Sequence, residues 1–561
     1  MKTPLRRRLA VAVSAALVVG AAYAANLPAD VSAALAVARP EALRGRVRFL
    51  ADDLLAGRGT ATRGFAVAAR YVESEFAAFG LQPLGAGGSY ELPVALLRAR
   101  AVPEESRFAV VGRQGEESVL EPLVDYAWSP GFVHDDARVD AAAVFVGYGV
   151  TTEDGSYDDY AGVQVRQRIV VIADGAPAFL DHDKRAYYAS SETKLANALA
   201  HGAAAVLTFR DPRRAPGSPE RFRENAERAL RQGAMTWVSA SGEVAGAYAG
   251  LLARAYLSPS GVDRLFGSAR SRLRAALLKD SGGTPDAFAL PASVRLRLVS
   301  VRDPVRGVNV GAVLRGSDPE RAGEYVVITA HLDHLGSNEA LPPESDRIYN
   351  GAYDNAVGVA ALLEVAHSFA SLPRAPRRSL IFLALTGEEK GLLGARAFVD
   401  APPVPVDSLV ADINLDMFLA PFPVRDVVGF GEEHSSLGPL LRLAAAAVGF
   451  EVSPDPAPGE VVFVRSDQYA FVRAGIPSLF VTEGTKSADP KVRGEEVLAR
   501  WRRERYHTVR DDLDQPFDWP SIARWAQLDF LVGWEVAQAD GRPRWNHRDF
   551  FGDRFGRRAR R

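Results

Sequence analysis

The stretch that decides the fold is "EYVVITAHLDHLG", residues 324–336, in which a short apolar run ends in imidazole and carboxylate side chains. Three similar apolar runs follow, with helical patterns between them: "SLIFLAL" (379–385), "LVADINL" (409–415) and "IPSLFVT" (476–482). Short apolar runs that alternate with helices predict the buried strands of a mostly parallel sheet. The region from about residue 299 to 539 therefore predicts an α/β fold.

Polar residues follow these predicted strands at the point where each strand ends. His331 and Asp333 follow the first run, Glu388 and Glu389 the second, and Asp416 the third. Because ligands bind beyond the carboxyl ends of the strands in open α/β sheets, we expect these side chains to share one crevice. A single carboxylate in such a position is more often a helix cap. Several together with histidine are suited to Zn²⁺ or a similar ion, which would also relieve their mutual repulsion.

Length and composition are those of a large globular protein. Of the 561 residues, 47% are apolar and 24% charged, which indicates a chain that forms a core, with more than one domain. The net charge of −2 provides no overall field that would attract nucleic acid or an anionic membrane. The chain has no cysteine, which excludes a cysteine nucleophile and thiolate metal sites.

The first residues have the three-part pattern of a secretory signal peptide. A basic stretch from Lys2 to Arg8 precedes a short apolar run and the small-residue sequence Ala22-Tyr23-Ala24. The apolar run is short for a membrane span. We therefore expect residues 1–24 to be a signal peptide cleaved after Ala24. The same pattern predicts a periplasmic or secreted protein with no stable membrane insertion after cleavage.

Changes of sequence pattern along the chain suggest its domains. From residue 139 onward, stretches such as "AAVFVGYGV" and "QRIVVIADGAP" indicate short buried strands closed by Gly and Pro. We expect residues 25–138 to be the N-terminal part of the main domain and residues 139–290 to be an inserted domain. The main α/β domain would span residues 295–540, and the remainder, 541–561, would be a frayed basic tail.

Five short motifs resemble those of one family. "HLDHLG" (331–336), "NGAYDNAVG" (350–358), "GEEKGLLGA" (387–395), "INLDM" (413–417) and "YHT" (506–508) resemble, in this order, the motifs of the co-catalytic di-zinc aminopeptidases, peptidase family M28. Residues 139–290 also resemble the smaller α/β protease-associated domain that many members carry as an insertion. The resemblance implies a zinc exopeptidase-like fold, with a mixed, mostly parallel central sheet flanked by helices.

The resemblance also implies two Zn²⁺ ions per chain, or two other divalent ions. Asp354 would bridge the two ions, His331 and Asp416 would complete one site, and Glu389 and His507 would complete the other. The number of ligands agrees with two ions. Five ligands, one of them shared, would give each ion three protein ligands and an open position.

Further roles follow from the resemblance. Glu388 would be the general base, Tyr506 would donate to the oxyanion, and Asp333 would hold the ring of His331. A base must not be a ligand, because coordination to a metal lowers its basicity. The peptide bond between Asp354 and Asn355 would be cis.

One motif departs from the family pattern. Members commonly carry Ser-Asp-His where this chain has Ser466, Asp467 and Gln468. We expect these three residues on the substrate side, so the departure affects specificity and leaves the metal ligands unchanged.

Three other residues near the motifs have less defined roles. We expect His334 to be a loop residue near the entrance of the crevice. Asp511 and Asp512 are both candidates to orient His507, and their spacing does not distinguish them.

These features predict an exported zinc-dependent aminopeptidase that hydrolyses N-terminal residues of peptides with a metal-bridging water and a glutamate base. A metallo-carboxypeptidase of the glutamate carboxypeptidase type is an alternative. It would need a cation such as Arg425, Arg465 or Arg473 near the site to bind a terminal carboxylate. A receptor-like homologue without catalysis is a third hypothesis, and such a protein would lack some of the ligands. We expect no nucleic-acid partner, and the sequence leaves the oligomeric state open.

Overall fold

The computed structural model describes residues 23–212, 218–278 and 286–556. The chain forms two compact units, one from the residues up to Val94 and from Arg306 onward, the other spanning Ala95–Val305. Nearly all of the predicted signal peptide, residues 1–24, lies outside the described residues. Within the described ranges, we find no helix with the length and apolar content of a membrane span.

The strands are listed here in chain order: β1 (Gln82–Pro83), β2 (Glu91–Ala101), β3 (Arg107–Val111), β4 (Glu117–Val119), β5 (Tyr126–Trp128), β6 (Asp136–Phe145), β7 (Ile169–Ala173), β8 (Ala205–Phe209), β9 (Ala234–Trp237), β10 (Ala253–Leu257), β11 (Phe288–Leu314), β12 (Tyr325–His331), β13 (Gly336–Ser337), β14 (Ile348–Tyr349), β15 (Ser379–Leu385), β16 (Leu409–Asn414), β17 (Asp426–Phe430), β18 (Glu451–Val452) and β19 (Ser478–Glu483).

The helices follow the same order: α1 (Ala29–Leu35), α2 (Pro40–Leu50), α3 (Arg63–Ala78), α4 (His182–Ala189), α5 (Ser191–Ala200), α6 (Pro219–Gln232), α7 (Pro259–Phe266), α8 (Arg270–Leu278), α9 (Val357–Ala370), α10 (Leu393–Asp400), α11 (Leu437–Ala447), α12 (Gln468–Arg473), α13 (Gly494–Glu504), α14 (Trp519–Gln538) and α15 (Phe550–Phe555). Two short turns position site residues, namely Ala352–Ala356 before α9 and Glu388–Lys390 before α10.

The first unit contains a mixed sheet with helices on both faces. Its strand order is β1–β11–β15–β12–β16–β19–β17–β18, and the central strands β15, β12, β16 and β19 are parallel. On β12, Val326 and Ile328 belong to one buried apolar cluster, whereas Tyr325 and Val327 belong to another. Burial on both faces explains why the sequence of this strand is a continuous apolar run. The prediction of a mixed, mostly parallel α/β sheet is confirmed.

The second unit has its own α/β sheet. Its strand order is β4–β3–β11–β6–β7–β8–β10–β5, with β6, β7, β8 and β10 parallel. Aromatic side chains fill its core, where the ring of Phe145 packs against those of Phe209 and Phe266.

The limits of the second unit differ from the expected 139–290. Strand β3 pairs with Ser293–Arg297 of β11, and Leu96–Ala99 pairs with β9. Residues 95–138, which the sequence had assigned to the main domain, therefore belong to the second unit. The boundaries fall inside the continuous strands β2 and β11 and not in separate linkers, which is why composition did not reveal them.

Residues 541–556 are folded, which corrects the prediction of a frayed tail. The side chain of Phe551 is buried, and its ring packs 5.2 Å from that of Phe463. The indole N–H of Trp545 donates to the Gly475 carbonyl. These aromatic residues supply apolar surface within an otherwise basic segment, so it packs onto the first unit. Residues 557–561 lie outside the described residues.

Candidate metal centre

The parallel strands bring the predicted site residues to one edge of the first unit's sheet. His331 is the last residue of β12, Glu389 follows β15, and Asp416 follows β16. Asp354 lies in the turn before α9, and His507 follows α13. Because β12, β15 and β16 are parallel, their carboxyl ends meet at the same edge.

His331, Asp354 and Asp416 form the first group of donor atoms. The Nε2 atom of His331 lies 3.3 Å from Asp354 Oδ1 and 3.2 Å from Asp416 Oδ1. Its Nδ1 atom lies 3.0 Å from the backbone carbonyl oxygen of Asp333. A carbonyl oxygen only accepts hydrogen bonds, so Nδ1 carries a proton, and Nε2 is the ring nitrogen that faces the carboxylates of Asp354 and Asp416.

The second group shares Asp354 with the first. The Nε2 atom of His507 lies 3.1 Å from Asp354 Oδ2 and 3.4 Å from Glu389 Oε2. Asp354 thus directs one oxygen toward His331 and the other toward His507. The structure brings all five predicted ligands together, and their roles as ligands stay a prediction. The peptide bond between Asp354 and Asn355 is cis, as the family resemblance implied.

His334 belongs to this centre, and its predicted position near the entrance of the crevice was wrong. It is fully buried, whereas we expected a loop residue at the entrance. Its Nδ1 atom lies 2.7 Å from Glu389 Oε1 and 3.8 Å from Asp354 Oδ1. The available signal was the position of His334, three residues after His331 at the same strand end. The imidazole ring of His334 is buried because it packs against the backbone of Gly351. A Cβ atom at residue 351 would lie 2.6 Å from this ring.

Asp333 is close to His331, but its carboxylate does not hold the ring. One carboxylate oxygen accepts a hydrogen bond from Thr60 Oγ1 at 2.7 Å, and the other accepts from the backbone N–H of Glu388 at 3.1 Å. The ring contact comes from the Asp333 backbone, as described above. Asp333 therefore contacts the His331 ring as predicted, but through its backbone carbonyl, while its carboxylate ties the turn that carries Glu388 to the end of β12.

Asp511 supports the loop of the bridging aspartate. Its buried carboxylate accepts hydrogen bonds from the backbone N–H groups of Tyr353 and Asp354, both at 3.0 Å. Asp512 instead accepts from the backbone of Asp514 at the surface. Of the two candidates left open by the sequence, Asp511 is the one within the centre, and it positions Asp354.

Ser466, Asp467 and Gln468 are buried beneath the centre, which corrects their expected place on the substrate side. Ser466 Oγ donates to Asp416 Oδ2 at 2.5 Å. Asn414 on β16 donates to both Ser466 Oγ and Gln468 Oε1, each at 2.9 Å. Gln468 accepts this hydrogen bond and donates its amide N–H to the Phe463 carbonyl. The glutamine therefore completes a network that positions Asp416.

Glu388 differs from its neighbour Glu389 in its contacts. Both follow Gly387, whose φ of +69° is a backbone conformation that favours glycine. Glu389 lies against the imidazoles, and Glu388 has none of these ion-pair contacts among the described residues. Burial, together with the charge of Glu389, raises the pKa of the Glu388 carboxyl well above its usual value. A separate role for Glu388 is consistent with this geometry.

The electrostatic balance of the centre favours a bound cation. Burial alone would lower the pKa of His331, but Asp416 and Asp354 raise it well above its usual value. Burial raises the pKa of Asp467 to about 8, and both of its carboxylate oxygens are buried without a hydrogen-bond partner among the described residues. Without a metal, such a cluster of carboxylates holds protons.

The donor atoms also fit a metal. The groups His331, Asp354, Asp416 and His334, Asp354, Glu389 each place one atom per residue within 4.8 Å of the others. In the second of these groups, Glu389 Oε1 and His334 Nδ1 lie 2.7 Å apart. Carboxylate oxygens and imidazole nitrogens are ligands of Zn²⁺.

A buried arginine holds the loops of this centre from beneath. Arg58 is 1% exposed and donates from Nε to the Leu332 carbonyl at 3.0 Å. Its Nη atoms donate to the carbonyls of Leu50, Asn350 and Gly351. Loss of hydration lowers the pKa of this guanidinium to about 10, while Asp511 and Asp354 oppose the decrease. Arg58 thus joins the loop after β12 to the loop that carries Asp354.

We expect Arg58→Met to lower the free energy of unfolding by about 3–5 kcal/mol, because buried carbonyls would lose their donors. Urea denaturation of the full chain would measure the change. Arg44→Met, at an exposed position on α2, serves as the control and should have little effect. Equal stability of the two variants would show that Arg58 does not hold the loops.

Comparisons with known proteins give a matching family model and several similar proteins. The model of peptidase family M28 matches residues 309–532. A "Probable zinc metalloprotease" of Leptosphaeria maculans is 27% identical over 317 residues, which cover 50% of this chain and 69% of that protein. Another, from Pyrenophora teres, is 40% identical over 115 residues, 20% of this chain and 23% of that protein. The chain thus spans about a quarter of the length of the first curated relatives that it matches.

A solved structure supports the fold. The aminopeptidase from Aneurinibacillus sp. strain AM-1 superposes with a TM-score of 0.53 at 18% identity, over 91% of this chain and 96% of that one. At this identity the likeness concerns the fold alone.

The expected periplasmic or secreted location is contradicted. Relatives from Verticillium alfalfae and Lachancea thermotolerans are named "Vacuolar membrane protease"; they are 27% identical over 221 residues and 35% identical over 116 residues. These names state a vacuolar membrane location for those proteins. The prediction of a periplasmic or secreted protein is therefore wrong.

Proposed function

Because residues 309–532 belong to peptidase family M28, a family of zinc metallopeptidases, we propose that this protein is a two-zinc aminopeptidase that removes N-terminal residues from peptides. The observation that carries the proposal is the position of Asp354, whose two oxygens face His331 and His507 separately. A carboxylate shared in this way suits a pair of ions.

The residues that would hold the ions fall into two sets joined by Asp354. His331 and Asp416 would complete the first set, and Glu389 and His507 the second. Zinc, when bound, would supply Lewis acidity that polarises the scissile carbonyl and acidifies water. Ser466 and Asp511 would keep Asp416 and Asp354 oriented through the hydrogen bonds described above.

Glu388 would act as the general base and then as the general acid. It would take a proton from the attacking water and return it to the amine that leaves the peptide. Among the described residues, Glu388 makes none of the imidazole contacts of Glu389, which leaves its carboxyl group outside the two proposed sets of ligands.

Tyr506 would stabilise the oxyanion. Its ring stacks on that of His507 with centroids 3.9 Å apart, so the phenol lies beside the second set of ligands. Burial and the charge of Asp354 raise the pKa of Tyr506 above its usual value, so the O–H keeps its proton and can donate it in a hydrogen bond.

The test is an assay of the purified chain on two substrates, an aminoacyl amide and an N-blocked peptide. The metal-free chain serves as the control. We expect hydrolysis of the aminoacyl amide, loss of activity after chelation, and recovery with Zn²⁺. Turnover of the N-blocked peptide alone would support the carboxypeptidase alternative. Absence of any chelator-sensitive turnover would support a receptor-like protein.

A further inference from the structure

The buried hydrogen-bond network beneath the centre has a direction that one backbone group fixes. The amide nitrogen of Gln468 donates to the Phe463 carbonyl oxygen at 2.9 Å. Because a carbonyl oxygen only accepts hydrogen bonds, the nitrogen of Gln468 must face Phe463, and its amide oxygen faces Asn414. The group of Asn414 that lies 2.9 Å from this oxygen is therefore its amide nitrogen. The Phe463 carbonyl thus fixes the orientation of both side-chain amides.

The same direction continues to the carboxylate of Asp416. Asn414 Nδ2 also lies 2.9 Å from Ser466 Oγ, so the serine oxygen accepts a hydrogen bond from the amide. A hydroxyl has a single hydrogen, and that of Ser466 is directed to Asp416 Oδ2 at 2.5 Å. The other oxygen, Asp416 Oδ1, faces His331 Nε2 at 3.2 Å. The network therefore determines which oxygen of Asp416 faces the other proposed ligand.

The amide oxygen of Asn414 has a partner as well. Thr329 Oγ1 lies 2.9 Å from Asn414 Oδ1 and 3.1 Å from Asp412 Oδ1. Burial raises the pKa of the Asp412 carboxyl well above its usual value, so this carboxyl holds a proton that it can donate to the threonine oxygen. The threonine hydrogen is then directed to Asn414. Both ends of the Asn414 amide are used, and all side chains of the network are buried.

We infer that Asn414 is a positioning residue: its amide directs the Ser466 hydrogen to Asp416 and thereby sets the affinity of the first set of ligands for its ion. A carboxylate at position 414 would have the same shape but no N–H group. The Ser466 hydroxyl would then donate to that carboxylate, and Asp416 would lose its donor. The inference rests on the proposed two-zinc site and adds a residue that controls one of its two ions.

The experiment measures the two zinc affinities of the full chain by competition with chelators. We expect Asn414→Asp to weaken one zinc site by about 10- to 100-fold, the usual effect of losing a partner of a metal ligand, and to leave the other site unchanged. Ser466→Ala should cause the same selective loss, because it removes the same hydrogen. Ser466→Thr keeps a hydroxyl and should retain most of the affinity. Asn225→Asp makes the same change at an exposed position of α6 and is the matched control.

The double variant Asn414→Asp/Ser466→Ala should lose no more affinity than either single variant, because both changes act through one hydrogen bond. Additive losses, equal weakening of both sites, or wild-type zinc affinities in Ser466→Ala would overturn the role of Asn414. If Asn414→Asp does not fold, the two Ser466 variants decide.

Hydrolysis of an aminoacyl amide by the wild-type chain tests the proposed function separately. A chain that shows the selective zinc loss but hydrolyses nothing keeps this inference and loses the peptidase function. A chain that hydrolyses the amide while the variants bind zinc normally keeps the function and loses the inference. A wild-type chain that binds fewer than two zinc ions contradicts both.

Discussion

Glu388→Gln should lower kcat by about 10²- to 10⁴-fold while the chain keeps its zinc, because a general base contributes a factor of this size. Glutamine has nearly the same shape, but its amide cannot take a proton from water. Glu388 is separate from the imidazole contacts that Glu389 makes, so the replacement leaves the proposed ligands in place. Steady-state kinetics on an aminoacyl amide, together with zinc analysis of the same sample, would measure both quantities.

Glu495→Gln, at an exposed position of α13, is a suitable control for this variant. It removes the same negative charge from the surface and should leave kcat unchanged. If Glu388→Gln retained a kcat near that of the wild type, the assignment of Glu388 as the base would be rejected.

Glu389→Gln is expected to lower the affinity for zinc, whereas Glu388→Gln is expected to retain zinc and lower kcat. Its carboxylate lies against both His334 and His507, so an amide there would weaken one set of ligands. We expect zinc affinity to fall by at least about 100-fold, because changes of supporting residues alone cost about 10- to 100-fold. Competition with a zinc chelator would measure the affinity, and Glu388→Gln serves as the paired control. An unchanged zinc affinity would exclude Glu389 as a ligand.

Much of the fold and the strand-end residues were predictable from local sequence. The runs that became β12, β15, β16 and β19 are continuous and apolar, because both faces of these strands are buried. The direction of parallel strands then places their carboxyl ends at one edge, so the neighbourhood of His331, Glu389 and Asp416 follows from strand order.

The supporting residues were not predictable in the same way, because their roles depend on contacts between distant parts of the chain. Arg58 lies far before β12 in sequence, yet it donates to the carbonyl of Leu332. His334 has the same local pattern as an exposed loop histidine, and its burial arises from packing against Gly351. Gln468 differs from the family pattern, and only the contact with Asn414 shows that it serves the network beneath the centre.

The domain limits also depend on contacts between distant parts of the chain. Residues 95–138 carry no sequence signal that separates them from the main domain, and the pairing of β3 with β11 decides their place. Local composition identifies strands, but it does not identify which sheet a strand joins.

The measurement that tests the account most directly is the number and position of zinc ions in the purified chain. Elemental analysis after equilibration with zinc would give the number, and anomalous diffraction at the zinc edge would give the positions. We predict two ions per chain, one on each side of the Asp354 carboxylate, with His331 and His507 on opposite sides. A single ion that leaves one oxygen of Asp354 without a metal, or no ion in this cluster, would contradict the account.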